Sequence, residues 1–163
     1  ARCGSTLLSL SFGLVRLKNI LYKNAKRAGL SGPIIKTLQA KPTLNAGSYA
    51  LSSEAPHWER FRFWQDIVLR KGRLFTSDQL AMGLTVYEDK MPFEALPDIC
   101  NYMGPWRWCT KRKIFIDYFA PYEPVSVVHL AGHDQMRLDK QYLIAMLDQD
   151  DNHIRRSLRY SSV

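Results

Sequence analysis

His129 and His133 stand four residues apart, the spacing that puts two imidazoles on one face of a helix and can begin a metal site. Such a site needs Gly132 inside the helix and further ligands, and Cys100 or Cys109 are the available thiols. The plainer reading packs one histidine near a helix end and leaves the other at the surface, and no metal is expected. Cys100 or Cys109 with His129 would supply a nucleophile and a base. Nothing in the spacing positions them, and Cys100 falls on an apolar stripe, where cysteine acts as a small hydrophobe. Asp148-Gln149-Asp150-Asp151-Asn152 opens as a calcium loop does, but His153 occupies the place of the turn glycine and Arg159 that of the closing glutamate. It reads as a solvated helix end answered by Arg155, Arg156 and Arg159. No glycine-rich loop leads into Lys and Ser/Thr, so no phosphate cradle of that type is expected; Gly29-Leu30-Ser31-Gly32-Pro33 is a helix stop followed by a helix start. No catalytic or cofactor-binding residue is expected. Trp106 and Trp108 flank Arg107, and these residue types dominate binding hot spots. The three are candidate partner contacts, with Lys18, Lys26 and Arg27; the other reading packs both indoles between neighbouring hairpins. Lys111-Arg112-Lys113 reads as a solvated face that could also touch RNA or an acidic partner.

The elements that must carry these groups come from a chain of 163 residues, enough for one domain with a real core. Three cysteines, Cys3, Cys100 and Cys109, are too few for a disulfide framework and point to a reducing compartment. The longest apolar run, 7–15, is interrupted by Ser9, Ser11 and Gly13 and then by Arg16 and Lys18, so no membrane span is expected. The net charge of +8 is uneven: residues 1–53 hold eight basic side chains and no acid, while the rest of the chain holds 15 of each sign. Any pull on a polyanion therefore belongs to the N-terminal third. An acid-free, amphipathic start with Ser and Arg also reads as an organelle leader, and import into mitochondria is the expectation.

Hydrophobic spacing predicts helices almost throughout. The first is capped by Ser5, carries the stripe Leu7, Leu10, Leu14, Leu17 and Leu21, and stops at Gly29. A short one runs from Gly32-Pro33 through Gln39, and 41–56 reads as a surface connection. The next begins after Pro56 and ends at Gly72, with Trp58, Phe61, Trp64 and Val68 on one stripe and Phe63 and Ile67 on another. Thr76 and Gln79 form a capping-box pattern ahead of Leu80, Leu84, Tyr87 and Met91. Pro92 then opens a second helix carrying Phe93, Leu96, Ile99, Cys100 and Met103, stopped by Gly104-Pro105. Further helices are expected up to Phe119, over 121–130, and from Asp134 through Leu138, Tyr142, Ala145 and Met146, before an extended tail. Helices with two apolar stripes are covered from two directions, as inner layers of a stacked array are. The expected fold is all-α: a short helical-hairpin solenoid over 56–150, with a basic helix and linker arm over 1–55 and a basic tail over 151–163.

A weak internal repeat agrees. Pro92-Phe93-Glu94-Ala95-Leu96 is echoed by Pro121-Tyr122-Glu123-Pro124-Val125 and more loosely by Pro56-His57-Trp58-Glu59. The stretch from Thr76-Ser77-Asp78-Gln79-Leu80 to Pro92-Phe93-Glu94-Ala95-Leu96 resembles a degenerate pentatricopeptide repeat. With Phe63-Trp64-Gln65-Asp66-Ile67-Val68-Leu69 upstream, residues 57–131 are similar to the pentatricopeptide-like extra subunit of euglenozoan mitochondrial ATP synthase. The resemblance implies a non-catalytic structural subunit on the matrix side of the inner membrane, bound outside the alpha subunit of the catalytic head and near its neighbouring subunits. The alternative is an RNA-binding mitochondrial protein, whose repeats would read about one base each.

Overall fold

Gly29, at a φ of +78°, ends helix α1 (Ser11–Arg27) where its leucines run out. Pro33 sits in the first turn of α2 (Gly32–Ala40), where its missing N–H costs nothing. Helix α3 (His57–Lys71) stops at Gly72, where a Cβ would lie 2.3 Å from the Val68 carbonyl oxygen and 2.9 Å from Asn24 Oδ1. Helix α4 (Ser77–Tyr87) follows after a short loop. These boundaries come from a computed structural model that describes residues 2–4, 11–130, 133–139 and 141–157. Ser5, Leu7, Leu10, Gly132 and Arg159, invoked above, lie outside the described residues. The chain divides into two compact units, Ala1–Asp98 and Ile99–Val163, and the division falls after Asp98 rather than at 55/56.

In unit 1, Leu84 and Val68 are fully buried among Ala25, Ala28, Ile35, Trp64, Leu80 and Ala81. Each such large aliphatic contributes about 1.5–3 kcal/mol through burial. The opposite side of α4 places Met82 and Val86 against Leu44. The helix is thus covered from two directions, by α1, α2 and α3 on one side and by the connection after α2 with Phe61 of α3 on the other. The basic N-terminal segment is therefore no arm: from Asn24 onward its residues build the core. A small sheet has strand β1 (Arg2–Gly4) at its centre, antiparallel to β2 (Tyr49–Ala50) and parallel to β3 (Glu94–Leu96).

The capping box does not form. Thr76 takes a left-handed φ of 68° and makes no side-chain cap, while Gln79 Nε2 donates to the Leu44 carbonyl at 2.7 Å. Both side chains tie α4 to other segments instead of to its own first turn.

Unit 2 overturns the all-α expectation: the chain is mixed α/β, not a helical solenoid. Its four-stranded sheet has the order β5-β4-β6-β7, from β4 (Trp106–Cys109), β5 (Ile114–Asp117), β6 (Ile144–Asp148) and β7 (His153–Arg156). The outer pairings are antiparallel and the central β4–β6 pairing is parallel. The predicted helix after Pro92 becomes β3 and a 3-10 turn, Asp98–Asn101. Five of the eight prolines fall between 92 and 124, and each removes a helical hydrogen bond and clashes with the preceding turn. Trp106–Cys109 and Ile114–Asp117 are dense in aromatic and β-branched side chains, which suit a pleated surface. The helix expected from Asp134 lasts five residues, as α5 (Asp134–Leu138); Ile144, Met146 and Asp148 then alternate with period two along β6.

Candidate functional site

Two ends of helices in unit 1 bring its cations together. The last turn of α1 carries Lys26 and Arg27, and that of α3 carries Arg70 and Lys71, as C-terminal helix dipoles favour. Arg27 Nε donates to the Lys71 carbonyl at 3.1 Å, which fixes the two ends side by side. Lys23, Lys26, Arg27, Arg70, Lys71 and Arg73 are all exposed there. Asp66 and Asp78 lie just outside this stretch, and no acid stands between them.

A buried amide organises the loop from Gly72 to Thr76. Asn24, 1% exposed, accepts the Arg73 N–H through Oδ1 at 2.6 Å. Its Nδ2 donates toward the Arg73 and Phe75 carbonyls at 3.2 and 3.3 Å and the Thr76 hydroxyl at 3.4 Å. The Ser77 N–H closes the loop on the Leu74 carbonyl at 3.0 Å. With the backbone so occupied, the side chains of Leu74 and Phe75 point outward, 79% and 70% exposed.

Of the expected contacts on α1, Lys18 is spent internally and Lys26 stays exposed. Lys18 Nζ donates to the Gln39 carbonyl at 3.0 Å, joining α1 to α2. Lys26 lies over the Tyr22 ring, 5.2 Å from its centroid. A narrow cleft, with room for about 20 Å³, runs past Lys18, Leu38, Leu44, Gly83 and Tyr87. Its polar groups bind backbone: Gln79 donates to Leu44, and the Tyr87 hydroxyl to the Pro42 carbonyl.

Trp106, Arg107 and Trp108 are 6%, 8% and 9% exposed, so they build the interior of unit 2 instead of offering a surface. Trp106 packs against the His133 ring at 5.2 Å, and Trp108 lies between Phe115 at 5.0 Å and the Arg156 guanidinium at 4.6 Å. Both indole N–H groups are buried without an acceptor among the described residues. Arg107 Nε donates to the Tyr118 carbonyl, and its Nη1 to the Asp148 carbonyl and to Asp151 Oδ1 at 2.6 Å. The Tyr118 and Tyr122 rings lie 4.8 and 5.4 Å from the guanidinium. The Asp151 hydrogen bond raises the Arg107 pKa against the opposing effect of burial.

Residues 148–152 are the β6–β7 turn, not a helix end. Asp148 Oδ1 accepts the N–H groups of Asp150 and Asn152 at 2.8 and 2.9 Å, and the Asn152 side chain reaches both oxygens. Burial opposes the Asp148 charge, but the Asn152 and Asp150 donors and Arg107 outweigh it and hold the carboxyl below its usual pKa. Among the described residues no group of three or more His, Cys, Asp or Glu could hold a metal. His129 lies in an irregular segment and His133 precedes α5, so the shared helical face does not exist. His133 Nε2 approaches the Met103 carbonyl at 3.3 Å. Burial, and then the nearby His133, lower the His129 pKa. Cys100 lies in the 3-10 turn and Cys109 ends β4, both half-buried thiols.

Sequence reasoning passed over Asn24, Arg70, Lys71, Arg73, Leu74 and Phe75. A signal was there: two bulky apolar residues sit between a helix stop and a helix start, where loops are ordinarily polar. Comparison with protein-family models, characterised proteins and solved structures gives no match.

Proposed function

We propose that the chain is a non-catalytic structural subunit of an assembly on the matrix side of the mitochondrial inner membrane, docked through the basic face of unit 1. The carrying observation is the convergence of six exposed cations on one loop whose backbone is fixed by a buried asparagine. A fixed, charged surface suits recognition, because little ordering remains to be done on binding. The acid-free N-terminal third and the internal use of Arg107, Asp148 and the tryptophans support the same reading. Of the helices the pentatricopeptide resemblance implies, His57–Lys71 and Ser77–Tyr87 form and the one after Pro92 does not. The catalytic head of ATP synthase is still the host to test first. Cross-linking of the tagged full chain from Lys26 and Lys71 in mitochondria is expected to recover the alpha subunit or its neighbours. Recovery of ribosomal RNA without ATP synthase subunits would overturn that host.

RNA binding is the second reading, favoured by the charge of unit 1, which holds 14 basic and 8 acidic residues. Binding of the full chain to single-stranded RNA that weakens steeply with salt would support it.

A further inference from the structure

The Leu74–Phe75 tip is unlike the other exposed apolar positions in its surroundings. Leu138 is as open, at 82%, but Asp134 and Asp139 lie on its own short segment. Around Leu74 and Phe75 the sequence and the α1 contact place six cations, Arg70, Lys71 and Arg73 beside the tip and Lys23, Lys26 and Arg27 across it, against one nearby acid, Asp78 in the first turn of α4. Helix dipoles account for charges in the final turns of α1 and α3. They account neither for Arg73 nor for two large apolar side chains held in water.

An aliphatic–aromatic pair ringed by Lys and Arg is the composition of elements that lie in the headgroup layer of anionic bilayers. The apolar tips enter the acyl boundary and the cations remain among the lipid phosphates. A single-stranded nucleic acid would use stacking faces, and here only Phe75 has one; Leu74 has none. The loop need not be ordered on contact, since Asn24, the Arg27–Lys71 contact and the Ser77 turn already hold it.

We infer that the Leu74–Phe75 tip of the α3–α4 loop is a peripheral anchor for anionic phospholipid surfaces. The inference rests on reading the basic face of unit 1 as the docking surface, and it is independent of which assembly is the host.

The test is co-sedimentation of the full chain with vesicles of phosphatidylcholine alone or of equal parts phosphatidylcholine and phosphatidylglycerol. Binding is expected only to the second kind. L74S/F75S is expected to weaken it by at least about tenfold through loss of the apolar tip. Neutralising three charges in R70Q/K71Q/R73Q is expected to weaken it by about a hundredfold, from roughly fivefold per charge near the surface. L138S is expected to bind as the parent does, and circular dichroism checks that each variant is folded. In F75W, bromine-labelled acyl chains are expected to quench fluorescence beyond the level of the parent protein. Equal binding to both vesicle types, undiminished binding by L74S/F75S, or unquenched F75W would overturn the inference. So would binding of single-stranded RNA that requires Leu74 and Phe75 while vesicles are ignored. Cross-linking to the ATP synthase head can fail while vesicle binding holds, and the converse, so the two failures are distinguishable.

Discussion

In unit 1 a neutral amide occupies the interior and the cations stand in water; in unit 2 a guanidinium occupies the interior and its anionic partner stands in water. Asn24 donates and accepts within one side chain, so it can organise a loop without bringing charge inside. Arg107 offers donors only. It must collect the carbonyls of Tyr118 and Asp148 and the carboxylate of Asp151, three acceptors from three places in the sequence. The first arrangement leaves the charges of a surface free for a partner. The second consumes the charge to hold a small sheet together, where a unit of this size has little apolar core to rely on.

The largest effect that would break this contrast is expected at Arg107. R107M leaves the Asp148 and Tyr118 carbonyls without their donor, and amide hydrogen exchange in β4 and β6 should lose its protection while α4 keeps its own. If both units lose protection together, the contrast is void. L84A in unit 1 is expected to cost about 2–5 kcal/mol in chemical denaturation, the range for truncating a fully buried leucine. N24A is expected to cost about 1–3 kcal/mol, because it strands buried partners, and to speed exchange of the Arg73 amide in particular.

Acid sharpens the comparison further. The folded-state pKa values of Asp148 and His129 are both lowered, so both groups contribute stability that is complete above their unfolded values. The His129 contribution is lost as pH falls below about 6.5 toward its folded value, and that of Asp148 as pH falls below about 3.9. H129Q should flatten the upper slope of unit 2 stability and D148N the lower one, as read by hydrogen exchange at β6. The smallest effect is expected at Leu138, where L138S should change stability by less than about 0.5 kcal/mol.

The helices of unit 1 were legible because their boundaries are local: Gly29 and Gly72 as stops and Pro33 as a start act within a turn or two. The capping box at Thr76 misled because Asn24, 52 residues away, competes for the same hydroxyl. In unit 2 the misreading came from short runs. Leu138, Tyr142, Ala145 and Met146 satisfy a helical period, yet Ile144, Met146 and Asp148 satisfy a strand period just as well. Five residues cannot decide between them; the free edge of β4 does. The candidate contacts at Trp106, Arg107 and Trp108 were read from residue type alone, and type does not distinguish a hot spot from a core.

The parallel pairing of β4 with β6 joins residues some forty positions apart, through Arg107 to Leu147 and Trp108 to Asp148. During synthesis the helices of unit 1 have met all their main partners once Tyr87 is out of the ribosome. Unit 2 has to wait for β6 and for Asp151, which follows it. A nascent chain halted shortly before residue 148 would carry a finished helical half and a trailing segment with both indoles uncovered, the kind of client that chaperones hold.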